Sequence, residues 1–92
     1  RQRWAQISPD GKWVYYNQTP QNEIRKIPSE GGEPVVLATA PKGTVFDYID
    51  VSRVNGLIAY RLIATDQNLL NLNHKIFIIS PDGAPIKTLD LP

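Results

Sequence analysis

The fold class follows from ten consecutive residues, Ile7-Ser8-Pro9-Asp10-Gly11-Lys12-Trp13-Val14-Tyr15-Tyr16. At their centre lies a Pro-Asp-Gly turn. Proline presets φ for the first turn position, the Asp side chain caps locally, and glycine takes the left-handed position that closes a hairpin. The run after the turn is rich in β-branched and aromatic residues, which favour strands. The stretch therefore predicts two antiparallel strands joined by a tight turn.

The same succession of short apolar runs and turn residues continues along the chain. Eight prolines and six glycines separate the runs, and none of the runs is long and periodic enough to predict a helix. The best helical candidate is 66–74, but its three asparagines favour turns, so it is predicted to be a loop. The sequence thus predicts an all-β fold with a loop at 19–22 and eight strands, at 4–8, 12–18, 23–28, 34–38, 45–52, 57–64, 75–80 and 85–91.

The two halves of the chain repeat each other. Over the first two strands the offset is 44 residues, so that Tyr16 corresponds to Tyr60 and Gly11 corresponds to Asn55. Glycine and asparagine are the residues that best tolerate a left-handed backbone, which gives the second match a physical reason. From the third strand the offset is 52, because eight additional residues lie in the loop before it. A repeated four-stranded meander of about 45 residues is the unit of a β-propeller.

Both halves resemble the blade repeat of TolB-like (WD-repeat-like) β-propellers. The resemblance in the first half is carried by residues 7–16, by Glu23-Ile24-Arg25-Lys26-Ile27-Pro28 and by Glu30-Gly31-Gly32-Glu33-Pro34. In the second half it is carried by residues 75–79 and 83–92. Two positions depart from the repeat: Arg25 stands where an aromatic residue is usual, and Arg53-Val54-Asn55 replaces Pro-Asp-Gly. The resemblance covers almost the whole chain and implies a propeller fold.

Two blades do not close a ring. We divide the chain into a first blade at 1–39, an inter-blade linker at 40–44 and a second blade at 45–92 with the long loop 65–74. Closed rings need roughly 4–8 blades, and a lone pair would leave two apolar sheet faces in water. We therefore expect a fragment of a longer ring or several assembling copies, three of which would supply the roughly six blades usual for this family. The alternative is a small β-protein that closes by itself.

Composition and charge limit the class of protein. The 92 residues are 41% hydrophobic and 21% charged with a net charge of +1, which fits one small soluble globular unit. Ten basic and nine acidic residues are scattered, which argues against a nucleic-acid partner. No apolar run approaches the ~20 residues of a membrane-spanning helix. The absence of methionine predicts a processed or trimmed product or a piece of a longer protein, and the absence of cysteine leaves the redox compartment open.

The sequence contains no pattern typical of catalysis. The single histidine, His74, has no accompanying Gly-x-Ser-x-Gly nucleophile motif, and we expect it at the surface or between blades. Asp10 and Asp82 each lie in a Pro-Asp-Gly turn and are expected to form turns rather than an acid pair. We therefore expect no enzyme activity, no cofactor and no metal site.

The long loop 65–74 is the candidate partner-binding segment. It is eight residues longer than its counterpart in the first half and carries Leu69, Leu70, Leu72 and His74. In propellers, the loop between the second and third strands opens on a rim where partners commonly bind. The favoured interpretation is that the leucines cover the adjacent blade. The other interpretation is a small hydrophobic contact site for another protein.

The sequence is thus interpreted as a non-catalytic β-propeller scaffold for protein–protein recognition. Its partner would be another protein or a further copy of itself, within a homo-oligomer or a longer chain, with no nucleic acid and no membrane insertion. The alternative is an accessory, gating or sensor propeller of an enzyme, either a serine peptidase or a bacterial protein kinase. The resemblance implies a bacterial, extracytoplasmic (periplasmic) setting.

Overall fold

The computed structural model describes residues 4–19 and 22–92. Within these residues the chain forms eight strands and one 3₁₀ helix, η1. They are β1 Ala5–Ile7, β2 Trp13–Gln18, β3 Glu23–Pro28, β4 Val35–Thr39, β5 Thr44–Val51, β6 Ile58–Ala64, η1 Gln67–His74, β7 Lys75–Ile79 and β8 Pro85–Asp90. Each predicted strand is present, with ends that differ from the prediction by at most one residue. Pro20 and Gln21 of the expected loop 19–22, and residues 1–3 of the expected first blade, lie outside the described residues.

The strands form two antiparallel four-stranded meanders. Sheet 1 has the order β1-β2-β3-β4 and sheet 2 the order β5-β6-β7-β8. The prediction of an all-β chain with two four-stranded antiparallel sheets is confirmed. Most connections within a sheet are short and favour this order, because a tight turn brings the next strand back beside the one before it, and β7 pairs with β6 across the longer segment 65–74 as well. The described part of the chain has no helix with the length and apolar character that crossing a bilayer would require.

The first hairpin turn has the geometry that its sequence predicts. Gly11 has a φ of +76°, and its N–H donates to the carbonyl oxygen of Ser8 at 2.9 Å. The Asp10 carboxylate accepts hydrogen bonds from the Ser8 hydroxyl at 2.6 Å and from the Lys12 N–H at 2.9 Å. The aspartate therefore holds the turn from inside, and glycine supplies the left-handed residue.

The corresponding turn of sheet 2 corrects one predicted match. The left-handed residue is Gly56, with a φ of +74°, and its N–H donates to the Ser52 carbonyl at 3.0 Å. Asn55 instead accepts a hydrogen bond from the Leu57 N–H at 3.1 Å through its side chain. It therefore takes the part of the aspartate in the first turn and not that of Gly11, because a glycine directly after it adopts the left-handed backbone at lower cost.

The two sheets pack face to face around one core. The buried core side chains come from both sheets, and they are Tyr15, Ile24, Leu37, Ile49, Val51, Ile58 and Ile79. Trp4, Trp13, Ala38, Phe46 and Tyr60 pack against this cluster. Full burial of such a side chain contributes about 1.5–3 kcal/mol. A polar contact joins the first strands of the two sheets, β1 and β5, where the Val51 N–H donates to the Gln6 side-chain oxygen at 3.1 Å.

The sheets stack front to back. Sheet 1 presents to sheet 2 the face that carries the cross-strand neighbours Gln6, Tyr15 and Lys26. The repeat equivalents of these residues in sheet 2 are Asp50, Ala59 and Ile78. They belong to the opposite face of sheet 2, since side chains alternate along a strand and their neighbours enter the core, although the carboxylate of Asp50, on the edge strand β5, still accepts a hydrogen bond from the Gln6 amide at 3.4 Å. We call the face with Tyr15 or Ala59 the front face of its sheet, and the opposite face the back face. The contact therefore joins two different surfaces, the front of sheet 1 and the back of sheet 2.

Candidate functional site

Connections between strands gather at two opposite ends of the pair of sheets. At one end, Thr65 N–H donates to Gly43 O at 2.7 Å, and the Asn22 side chain donates to Thr44 O at 2.7 Å. We call this end the loop rim, formed by Asn22, residues 40–44 and residues 65–74. At the other end, the hairpin turns of both sheets meet, and we call it the turn rim, formed by residues 8–12, 29–33, 52–57 and 80–84.

The candidate segment 65–74 is not the unstructured loop that its asparagines predict. Residues Gln67–His74 form η1, whose N-terminal cap is the Asp66 side chain, which accepts from Asn68 N–H at 2.9 Å. At Leu69 the backbone leaves helical geometry, with φ −117° and ψ 15°. The segment therefore consists of short 3₁₀ turns on either side of a kink. Such turns need few consecutive helical residues, so an asparagine-rich segment with a good cap can form them.

The structure divides the four candidate residues of this segment into two pairs. Leu69 and Leu72 are half-buried, whereas Leu70 is 49% exposed and His74 is also exposed. A Cβ placed on Gly43 would lie 3.3 Å from the Leu69 side chain, so Leu69 covers the bare backbone of the linker. Within this segment, Leu69 therefore covers a neighbouring part of the chain, whereas Leu70 faces solvent.

The far end of η1 is fixed to sheet 2 by hydrogen bonds that sequence reasoning missed. The Arg61 guanidinium donates to Asn73 O at 2.6 Å, and the Asn73 side chain accepts from Ala64 N–H at 2.8 Å. Leu91 N–H donates to His74 O at 2.7 Å. These bonds hold η1 to β6 and to the segment after β8. Leu70 is therefore displayed from a segment that is anchored at both ends.

A second concave site lies at the turn rim, where turns of both sheets enclose a cleft of about 320 Å³. Its central residue is Lys26, whose side chain is only 9% exposed. The Lys26 ammonium lies 3.1 Å from an Asp82 carboxylate oxygen and 4.3 Å above the centre of the Trp13 ring. This cluster joins a strand of sheet 1 to a turn of sheet 2 by an ion pair and a cation–π contact. Sequence reasoning did not single out Lys26.

Two further side chains of this cleft have displaced acidities. Burial, and then the charges of Asp10 and Asp82, raise the pKa of the Tyr15 phenol. The Ser8 hydroxyl, and then the backbone N–H of Lys12, lower the pKa of the Asp10 carboxyl. The phenol is thus neutral and the carboxylate ionised at neutral pH. Asp10 is engaged in its turn and Asp82 in the ion pair, so the cleft fastens the two sheets together.

Apolar side chains also remain exposed on the two faces that the sheets do not use against each other. On the back of sheet 1, Ile7 is 66% exposed and continues across the sheet into Val14 and Ile27. On the front of sheet 2, Tyr48 is 70% exposed and Ile63 and Leu89 are exposed as well. Monomeric proteins rarely leave large apolar patches open to water, so these two open faces are candidate contact surfaces.

Chemistry and comparison add no further site. Within residues 4–19 and 22–92, no three histidine, aspartate or glutamate side chains come together as metal ligands would. Neither a protein-family model nor a curated protein sequence matches the chain. The function is therefore argued from the stacking of the sheets, the anchored segment η1 and the two open faces.

Proposed function

We propose that the chain forms two consecutive blades of a TolB-like β-propeller and acts as a non-catalytic scaffold for protein–protein recognition. The observation that supports this most directly is the front-to-back stacking of the two sheets. Consecutive blades of a ring are related by a rotation, so each blade presents one face to the next blade and the other face to the preceding one. If the two sheets instead formed a closed sandwich, the same face of each sheet would be buried against the other. No apolar face would then remain on the outside of either sheet.

The two open faces support a place within a larger or oligomeric ring. A front-to-back contact is heterologous, which means that repeating it generates a ring or a filament rather than a closed pair. The back of sheet 1 and the front of sheet 2 are what such a series leaves at its two ends. Both carry the exposed apolar side chains described above, including Ile7 and Tyr48.

Recognition is assigned to the loop rim. There η1 holds Leu70 and His74 toward solvent while Leu69 and Leu72 pack inward. An apolar side chain displayed from an anchored backbone segment loses less conformational freedom when a partner binds than one on a free loop, which favours affinity. The mechanism is rigid display: the sheets supply the stiffness, and the anchored segment supplies the contact.

The test separates display from folding by single substitutions. The immobilised chain, its Leu70→Ser variant and its Val54→Ser variant are each used to capture proteins from a bacterial periplasmic extract. Val54 is the control because it is 92% exposed and lies at the opposite rim. We expect the unmodified chain and Val54→Ser to capture the same protein, and Leu70→Ser to lose it while its circular dichroism spectrum is unchanged.

A third variant tests the inward pair. Leu69→Ser removes the cover over Gly43 and is expected to lower the midpoint of thermal unfolding, which Leu70→Ser leaves in place. Recognition at this rim is refuted if Leu70→Ser and Val54→Ser capture equally. The non-catalytic assignment is refuted if the purified chain itself hydrolyses peptide or ester substrates.

A further inference from the structure

We infer that a second copy of this chain covers the open faces, with the front of sheet 2 in one copy packed on the back of sheet 1 in the next. The register is the one in which sheet 1 and sheet 2 already stack within a copy. This inference rests on the proposed propeller arrangement and names the partner that its open faces take. It is carried by the repeat equivalence of the residues on those faces.

The back of sheet 1 already has the composition of a buried back face. Each side chain there can be paired with its repeat equivalent on the back of sheet 2, which the first sheet covers. Five of the pairs are Ala5 with Ile49, Ile7 with Val51, Val14 with Ile58, Tyr16 with Tyr60 and Ile27 with Ile79. In these five, apolar residues match apolar residues and tyrosine matches tyrosine, although one set is exposed or half-exposed and the other lies in or against the core. Two pairs differ, because Gln18 and Arg25 stand where sheet 2 has Leu62 and Phe77, and Arg25 is paired with Glu23. A surface of this composition is suited to burial.

The front of sheet 2 shows the same relation to the front of sheet 1. Trp4 packs against the core, and its repeat equivalent Tyr48 is 70% exposed. Ile24 is fully buried, and its equivalent Ile76 is half-exposed. The front faces of both sheets thus carry an aromatic residue at the first of these positions and an isoleucine in the third strand. Only the front of sheet 1 is covered by another sheet.

Charge also favours this register. Within a copy, the buried Lys26 is paired with Asp82 from the following sheet. On the front of sheet 2 its place is taken by Ile78, which needs no ionic partner. The repeat equivalent of Asp82 is Glu30. The two turns that carry these acids are closed by the same hydrogen bond: Gly83 N–H donates to Ser80 O at 2.9 Å, and Gly31 N–H donates to Pro28 O at 2.8 Å. Glu30 is exposed, so the contact between copies buries no unpaired charge there.

A second copy is the partner that these observations favour, because one chain carries both surfaces of the proposed contact. Each of these two surfaces resembles, position by position, one of the two surfaces that already pack together within the chain. An unrelated partner would have to fit two different surfaces at opposite ends of the molecule. A head-to-tail contact of one chain with itself uses both surfaces at once and closes into a ring when the rotations add up to a full turn.

The test uses site-directed crosslinking, which is clean here because the chain contains no cysteine. One chain carries Ile78→Cys, another carries Glu30→Cys, and the two are mixed with a short bifunctional maleimide. The reference is a single chain with Lys26→Cys and Asp82→Cys, which places the same pair of equivalent positions inside one copy. The matched control mixes the Ile78→Cys chain with a Lys42→Cys chain, whose thiol is on the exposed linker at the loop rim, the opposite end of the sheets.

We expect the Ile78→Cys and Glu30→Cys chains to give a crosslinked dimer with a yield at least about tenfold above the control mixture. A yield equal to that of the control, or no dimer, overturns the inference. A second measurement does not depend on the cysteine variants: sedimentation equilibrium of the unmodified chain should show self-association. Ile7→Lys should weaken it by at least about tenfold, since it buries an unpaired charge, whereas Asn71→Lys, on the exposed side of η1 at the loop rim, should not.

The outcomes separate this inference from the proposed function. A monomeric chain that still captures a protein through Leu70 refutes the contact between copies and leaves the scaffold in place. Self-association without the crosslink also refutes the inference, because the copies then meet through other surfaces, such as the free edges of β4 and β8. A specific crosslink with no partner bound at the loop rim supports the inference and refutes recognition at that rim.

Discussion

Replacing Asp82 with Asn tests whether the ion pair at the turn rim fastens the two sheets. The substitution keeps the size of the side chain and removes its charge, so Lys26 remains nearly buried without an anionic partner. The Lys26 ammonium and the Asp82 carboxylate are 3.1 Å apart, and their side chains are 9% and 88% exposed. The expected result is a less stable chain, because a buried ammonium without a counter-charge raises the free energy of the folded state.

The size of the effect follows from the distance and the exposure. At 3.1 Å the attraction is about 1.3 kcal/mol in bulk water and about 5 kcal/mol at an effective dielectric constant of 20. The high exposure of Asp82 places the pair toward the lower figure, and the Trp13 ring continues to hold the ammonium in the variant. We therefore expect Asp82→Asn to lower the free energy of unfolding by about 1–2 kcal/mol.

Urea unfolding followed by tryptophan fluorescence measures this loss, with all chains at one protein concentration because self-association adds to apparent stability. Asp90→Asn is the matched control: it removes the acid of the Lys75–Asp90 pair, which joins two strands of one sheet at a more exposed lysine, and should cost no more than about 0.5 kcal/mol. Adding Lys26→Met to Asp82→Asn should restore stability to within about 1 kcal/mol of the unmodified chain. The reasoning is refuted if Asp82→Asn costs no more than Asp90→Asn.

Two further substitutions probe the core and its turns. Gly83→Ala would place a Cβ 2.7 Å from Leu37 O at a φ of +90°, whereas Gly11→Ala meets only the φ penalty, with open space around its Cβ. In urea titrations the former should therefore cost about 1–3 kcal/mol more, and equal losses would contradict the close approach of the two sheets there. Burial raises the pKa of Tyr60, whose ring lies between those of Phe46 and Phe77. The unfolded phenol ionises first, near pH 10, so this contribution to stability is complete below that pH and is lost as the pH rises through the folded pKa. Unfolding measured between about pH 9 and pH 11 should depend less steeply on pH in Tyr60→Phe, with the exposed Tyr48→Phe as the control, and an unchanged slope in Tyr60→Phe would contradict the assignment.

The strands and their order could be predicted because each depends on local chemistry. Turn residues such as those at Pro9-Asp10-Gly11 set where a strand ends, and the short connections favour the neighbouring position for the next strand. The 3₁₀ helix was predicted as a loop for a different reason. Asparagine counts against a long α-helix, but the Asp66 cap and the contact of Leu69 with the linker at Gly43 stabilise short turns that no helical periodicity reveals.

The candidate site was only partly predictable. The leucines of residues 65–74 could be singled out from the sequence. Which of them faces solvent depends on how η1 is anchored by hydrogen bonds of Arg61 and Asn73, and no sequence motif indicates those bonds. Lys26 was missed because one lysine in a strand normally indicates a solvent-exposed position. Its burial depends on Asp82, a turn residue 56 positions away.

The stacking of the sheets explains why some equivalent positions of the two repeats carry different residues. Lys26 faces an acid in the neighbouring sheet, whereas its equivalent on the open front of sheet 2 is the uncharged Ile78. Tyr15 fills the core, and its equivalent Ala59 lies on the open front of sheet 2. In the proposed contact the open front of sheet 2 meets the back of sheet 1, where Arg25, paired with Glu23 at 2.6 Å, takes the place of Phe77. Divergence of the repeats at these positions is expected if the two interfaces are unlike, since the internal stack is covered within the chain and the proposed contact between copies would form from surfaces that are exposed in one copy.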